Sequence, residues 1–260
     1  MPEIACINGE FCPLAEARVP IEDRGYQFAD GVYEVIVTRD GAPFLMDAHF
    51  DRMARSLRLI NLPLDPRALG IPQWIKAGIE RCAFAEVMVY VQVTRGVAAR
   101  NHNFPDGIAP NVILTFKPKP VYPVKLREGG VELKTLADIR WARCSIKSIA
   151  LLPNILLKEQ ARQAGSFDAL IVDPAGIVRE TSCANVFVVT EQCVRTPPKS
   201  DRILHGITRE HVLDCCARLG LMAREEDFTI DDLRAADEAF ITSSTMDVMP
   251  VTRVDAVSYT

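Results

Sequence analysis

Lys147 lies in the run Arg143-Cys144-Ser145-Ile146-Lys147-Ser148-Ile149-Ala150-Leu151-Leu152, and Glu180 opens the run Glu180-Thr181-Ser182-Cys183-Ala184-Asn185-Val186-Phe187. A lysine between apolar neighbours tends to lose hydration, and desolvation lowers an ammonium pKa. An amine so depressed can attack a carbonyl or an aldehyde cofactor. A carboxylate brought in from a later strand can then keep a heterocyclic nitrogen protonated. The same two residues equally fit a lysine snorkelling at the edge of a core and a glutamate in a turn. Taken alone, they do not choose between these readings.

Three other groups carry possible chemistry. In Leu204-His205-Gly206-Ile207-Thr208-Arg209 a glycine stands directly before a helical pattern. Free backbone N–H groups and the helix dipole there suit an anion, although Gly206 also fits a turn and Thr208 a cap. Ser243-Ser244-Thr245 adds hydroxyl donors at a strand end. Arg100 and His102 sit on alternate residues of a long loop and could converge on a carboxylate; a solvated loop is the plainer alternative. Tyr33 alternates with Val35 on a strand and reads first as a core tyrosine. There is no GxGxxG after a strand, no Walker loop and no GxSxG, which weighs against dinucleotide, nucleoside-triphosphate and serine-hydrolase chemistry.

The elements that must position these residues divide in two. Ile4–Ile7 and 10–14 form a hairpin about Asn8-Gly9. Residues 23–31 read as irregular, 32–38 as a strand with Tyr33, Val35 and Val37 on one face, and 43–46 as a short strand. Helices are expected from an Asp47 cap to Leu59 and over 65–84. Strands follow at 86–94 and 111–116, joined by a long loop. Lys117-Pro118-Lys119-Pro120-Val121-Tyr122-Pro123 has three prolines in seven residues and reads as a linker. Beyond it come strands at 130–136, 168–173, 185–189 and 238–242, and helices at 151–164, 207–219 and 230–236. Strands and helices mix irregularly in both halves, so the pattern fits two α+β domains, 1–117 and 125–260, with a linker at 118–124.

Composition narrows the partners. The 260 residues carry a net charge of -4, which argues against general nucleic-acid binding and against a basic membrane-facing stretch. No apolar run approaches the ~20 residues of a transmembrane helix. Met1-Pro2-Glu3-Ile4 lacks the features of a signal peptide, and a cytoplasmic protein is expected. The eight cysteines form no CxxC and are expected as reduced thiols; the four histidines show no zinc spacing, so no structural metal is expected.

Asp23-Arg24-Gly25-Tyr26-Gln27-Phe28-Ala29-Asp30-Gly31-Val32-Tyr33-Glu34-Val35 resembles the N-terminal signature of class IV aminotransferases, the fold type IV pyridoxal-phosphate enzymes. Segments around Arg52, Thr94-Arg95-Gly96, Lys147, Glu180, Gly206-Ile207-Thr208 and Thr242-Ser243-Ser244 match the family in the same order, over almost the whole chain. The resemblance implies a two-domain α+β fold with the active site at the domain interface. It implies that Lys147 forms the Schiff base with pyridoxal 5'-phosphate and shuttles the substrate proton, and that Glu180 pairs with the pyridine nitrogen. Arg52, Gly206, the N–H groups of Ile207 and Thr208, and Ser243 and Ser244 would hold the phosphate, and Leu204 would pack on the ring. Tyr33, Arg100 and His102 look like the carboxylate-binding set of D-amino-acid aminotransferases, with the Arg100 loop supplied by the neighbouring subunit of a homodimer. The implied reaction moves the amino group of D-alanine-type substrates to 2-oxoglutarate. A branched-chain L-aminotransferase, an (R)-amine transaminase or an aminodeoxychorismate lyase is the alternative, and a non-catalytic binding protein on the same fold is another.

The chain departs from the family pattern in places. Thr181, Cys183 and Ala184 stand where relatives often carry a glycine and serines, and Ser145 where close relatives often carry Asp. The sequence ends soon after Val251-Thr252-Arg253-Val254-Asp255, where relatives usually continue into a further turn and helix.

Overall fold

The computed structural model describes residues 3–259. They form two compact units: one runs through Pro120 and also takes in Ile146–Ala150, and the other comprises Val121–Ser145 and the chain from Leu151 onward.

The first unit is built on β1 (Ile4–Ile7), β2 (Glu10–Pro13), a short helix α1 (Arg24–Phe28), β3 (Gly31–Arg39), β4 (Ala42–Pro43), α2 (Met46–Leu59), α3 (Ile71–Arg81), β5 (Val87–Thr94) and β6 (Asn111–Pro118). Its strands lie in the order β2-β1-β6-β5-β3-β4 and pair antiparallel. One sheet face, with Val32, Ile36, Val89, Val91, Leu114 and Phe116, is buried with Phe50, Met53 and Leu57 of α2 and Ile71 and Ile75 of α3 in one core. Removing each such side chain from water contributes roughly 1.5–3 kcal/mol.

Several elements differ from expectation, each for a local reason. Residues 23–31 are not wholly irregular: the Asp23 side chain accepts from Gly25 N and caps α1. Helix α2 is entered through Leu45 in the left-handed region, and Asp47 lies within its first turn rather than at the cap. The helix expected over 65–84 begins only at Ile71, because Gly70 at φ +82° breaks the backbone and Pro72 suits a first turn. Strand β6 runs through Lys117 to Pro118, into the segment read as linker; proline is tolerated there because it is the last strand residue. Tyr33 and Val35 do not lie on the core face. Val32, Glu34 and Ile36 do, so a carboxylate is buried where alternation calls for an apolar side chain.

The second unit contains α4 (Val124–Gly129), β7 (Val131–Ala137), α5 (Leu152–Gln163), β8 (Asp168–Val172), β9 (Val178–Thr181), β10 (Asn185–Thr190), β11 (Cys193–Thr196), α6 (Ile207–Leu219), β12 (Met222–Glu225), α7 (Ile230–Arg234), β13 (Glu238–Ser243), β14 (Asp247–Val254) and β15 (Val257–Ser258). The mixed sheet runs β12-β11-β10-β13-β14-β7-β8-β9, with β15 paired to β14. Short strands β9, β11, β12 and β15 and the six-residue α4 carry too little periodicity to be read from sequence, and Pro250 inside β14 masks that strand's pattern although the strand runs through it.

Lys147 was expected in a C-terminal domain at 125–260. The Ile146–Ala150 segment groups instead with the first unit, because it lies along the open edge of β3. Tyr33 N donates to the Lys147 carbonyl at 3.0 Å, Ile149 N donates to Gly31 O at 3.2 Å, and Ile146 is buried in the first core.

Candidate active site

In the first unit, the edge of β3 and helix α2 converge on Lys147. Its backbone N–H donates to Ser56 Oγ of α2 at 3.2 Å, and its Nζ lies 4.2 Å from the centroid of the Tyr33 ring. Tyr33 stacks on Tyr90 at 5.5 Å, and Tyr90 Oη donates to Gln92 Oε1 at 2.7 Å. These residues share the half-buried sheet face because Tyr33 pairs with Gln92 and Val35 with Tyr90 across β3 and β5. Arg52 stands one turn before Ser56 on α2, so both present the same side of the helix.

Arg52 is held by the buried carboxylate of Glu34. Its Nε and Nη2 donate to the two Glu34 oxygens at 2.7 and 2.6 Å, and His49 Nδ1 lies 2.7 Å from Glu34 Oε2. Burial alone would raise the Glu34 pKa, but Arg52 and His49 outweigh it and hold the carboxyl at about 2, against an ordinary 4.5. Burial pushes His49 below its ordinary 6.5, opposed by Glu34. A fork fixed on one carboxylate keeps a cation in a buried place with a set direction, which suits an anionic ligand. Glu34 and His49 were missed as functional residues in the sequence; the readable signal was a charge on the core face of Val32-x-Glu34-x-Ile36.

Arg100 and His102 form a separate group. Both are exposed, and both lie against Phe28: the guanidinium carbon is 4.8 Å from the ring centroid and the imidazole centroid 5.4 Å.

In the second unit the centre is Glu180, on β9. Its carboxylate accepts from Arg140 Nη1, from Leu204 N at 3.1 Å on each oxygen, and from Asn185 Nδ2 at 3.1 Å. Asp138 anchors Arg140 in turn at 3.0 Å. Burial raises the Glu180 pKa, while Arg140 and the Leu204 N–H favour the anion. Asn185 Nδ2 also donates to Leu204 O at 2.8 Å, and Asn185 pairs with Thr242 across β10 and β13. Gly206 packs so tightly here that a Cβ would fall 2.0 Å from Asn185 Oδ1. Arg140 had no signal in the sequence, standing forty residues from its partner Glu180.

The departures near Glu180 are absorbed locally. Thr181 Oγ1 accepts from Ala184 N at 2.9 Å and donates to Ala184 O at 3.1 Å, closing the turn with its own hydroxyl. Cys183 Sγ donates to buried Asp168 at 3.3 Å. Ser145 Oγ donates to Asp201, so a carboxylate is present beside position 145 although it comes from another loop.

Pyridoxal phosphate needs an amine, an anionic partner for a ring nitrogen, and donors for a phosphate. The residues present fit it. Helix α6 starts at Ile207 behind Gly206 with no side chain capping its N-terminus, which leaves the first-turn N–H groups of Ile207 and Thr208 for an oxyanion. Thr242 Oγ1, next to Ser243 and Ser244, is buried without a hydrogen-bond partner. The first unit offers an amine in Lys147 and a cation in Arg52, and the second a carboxylate in Glu180, which would meet these needs.

Comparison with known proteins identifies the family. The family model for amino-transferase class IV matches residues 31–254. The D-alanine aminotransferase of Bacillus licheniformis is 40% identical over 250 residues, covering 95% of this chain and 87% of that protein. The D-alanine aminotransferase of Listeria monocytogenes is 38% identical over 255 residues, covering 96% and 87%. The branched-chain amino acid aminotransferase of Escherichia coli shares the fold, with a TM-score of 0.90 at 22% identity over 99% of this chain and 88% of that one. A lysine with an oriented arginine, a buried and clamped carboxylate, and a model match over most of the length have one common explanation: this chain belongs to the class IV aminotransferases.

Proposed function

We propose that the protein is a pyridoxal-phosphate-dependent D-amino-acid aminotransferase that moves the amino group of D-alanine-type donors to 2-oxoglutarate, giving D-glutamate and a 2-oxo acid. The observation that carries the reading is the Lys147–Tyr33–Arg52 cluster together with the Glu180 clamp, in a chain about 40% identical to D-alanine aminotransferases.

The bound cofactor supplies the electron sink that makes an amino-acid α-carbon acidic. The chain's residues do the rest. Lys147 would hold the cofactor and would carry the proton to and from the substrate α-carbon. Glu180, whose anion Arg140, Leu204 N and Asn185 favour against the effect of burial, would pair with a protonated ring nitrogen. Arg52, Gly206, the N–H groups of Ile207 and Thr208, and Ser243 and Ser244 would hold the phosphate, and Leu204 would pack on the ring. Tyr33, Arg100 and His102 hold the substrate carboxylate. Where the carboxylate is fixed decides which enantiomer turns its α-hydrogen toward Lys147, so these three residues set stereochemistry. Donor and acceptor use one site in turn, which gives ping-pong kinetics.

The exposure of Arg100 and His102 on their own subunit supports a homodimer in which this loop completes the site of the partner. Among the described residues no helix is long and apolar enough to cross a membrane. The eight free cysteines fit a cytoplasmic setting.

The test is a half-reaction panel. Borohydride should fix the yellow cofactor on Lys147, and D-alanine should bleach the long-wavelength absorbance while L-amino acids do not. Bleaching by a branched-chain L-amino acid with none by D-alanine overturns the stereochemical reading.

A further inference from the structure

We infer that Phe28 and Arg24 are positioning residues that hold Arg100 and His102 in register before substrate arrives; the inference rests on the proposed role of that pair. An exposed arginine and histidine on a long loop are poor at fixing a carboxylate unless something restricts them, because ordering them at binding costs affinity. The restriction is on the same subunit. The Phe28 ring is met by the Arg100 guanidinium at 4.8 Å, the His102 ring at 5.4 Å and the Arg24 guanidinium at 4.8 Å. Between the two trap residues, the Asn101 carbonyl accepts from Arg24 Nη1 at 2.6 Å, which pins the loop at its midpoint.

Arg24 is itself immobile. It is buried, and its Nε donates to Asp30 at 2.8 Å. The same carboxylate takes two bonds from Arg95, at 2.8 and 3.0 Å, and Arg95 reaches the Ile60 carbonyl at 2.7 Å and covers the Phe104 ring at 3.7 Å. Asp30 thus ties Arg24 and Arg95 together through one shared carboxylate. Arg100 makes no ion pair among the described residues, so its charge is left for a ligand while its plane is held by an aromatic ring. The support runs from the end of β5 through Arg95, Asp30 and Arg24 to Asn101, and none of these side chains need touch substrate.

Phe28→Leu removes the ring face and keeps apolar bulk. The KM for D-alanine should rise at least about tenfold with kcat changed far less. The melting temperature and the affinity for pyridoxal phosphate should stay near those of the parent, and Phe28→Trp should restore the parent KM. If the leucine variant does not fold, Phe28→Met serves in its place. An unchanged KM overturns the inference, as does a fall in kcat and cofactor affinity together, which would mark a structural role. Arg100→Ala, run alongside, separates the two levels. If it impairs D-alanine and Phe28→Leu does not, this inference fails alone; if Arg100→Ala is silent, the carboxylate role and the platform fall together.

Discussion

Glu34 stands on the core face of β3, where its neighbours two residues away are valine and isoleucine, and it is tolerable there only because Arg52 and His49 satisfy it. Removing one partner of a buried ion pair costs about 3–5 kcal/mol. Glu34→Ala should lose stability of that order in urea titrations and weaken the hold on cofactor, since Arg52 loses its fixed direction. The pH dependence has a definite sign. Glu34 is depressed from 4.5 to about 2, so its stabilising effect is complete above 4.5 and is lost as pH falls from there toward about 2. His49 is depressed below 6.5, so its share is complete above 6.5 and declines as pH falls below that value. The urea midpoint of the parent should therefore fall steadily between pH 7 and pH 3. A flat profile would show that the triad does not carry this linkage. The sequence pointed to Arg52 through family resemblance and did not single out Glu34, which the expected alternation placed on the outer face; His49 and Arg140 gave no sign, because their partners are set by tertiary packing.

At the scale of elements, the start of α6 and the β10–β13 pair form one device. Gly206 approaches Asn185 too closely for any side chain, and Asn185 in turn holds both Glu180 and the Leu204 carbonyl. Gly206→Ala should push Asn185 off Glu180 and tilt the first-turn N–H groups. We expect cofactor affinity, read by fluorescence titration, to fall about tenfold or more, with thermal stability of the cofactor-free protein reduced by roughly 1–3 kcal/mol. Retained affinity would mean that the close approach has no part in anion binding. Long periodic elements such as α2, α6, β3 and β5 were legible in the sequence. So was Gly206 as a helix start. The true start of α3 at Ile71 was not, because Gly70 outweighed the apolar spacing, and β9 was not, because four residues carry no period. Its Glu180 was located by resemblance rather than by pattern.

For the whole molecule, the proposed carboxylate-binding role of the Arg100 loop can be tested for action within one subunit or across a dimer. Lys147→Ala and Arg100→Ala proteins should each be nearly inactive on D-alanine. Refolded together in equal amounts, half of the dimers would be mixed, and each mixed dimer would hold one site with both residues intact. Activity should return to about a quarter of the parent level if the loop acts across the dimer. No recovery would place Arg100 and Lys147 of one chain in the same site, or exclude a dimer altogether.

The path of the chain through the first unit has a consequence for synthesis. Everything in that unit up to Pro120 leaves the ribosome first, yet the edge of β3 at Gly31 and Tyr33 is closed by Ile146–Ala150, which emerge later. The early product is thus a sheet with an open border, which other nascent strands could join. Cutting the gene between Pro120 and Val121 would not yield a self-sufficient half. The segment that closes that border also carries Lys147, the proposed Schiff-base residue, so a chain stopped before it lacks the amine together with the cover of its sheet.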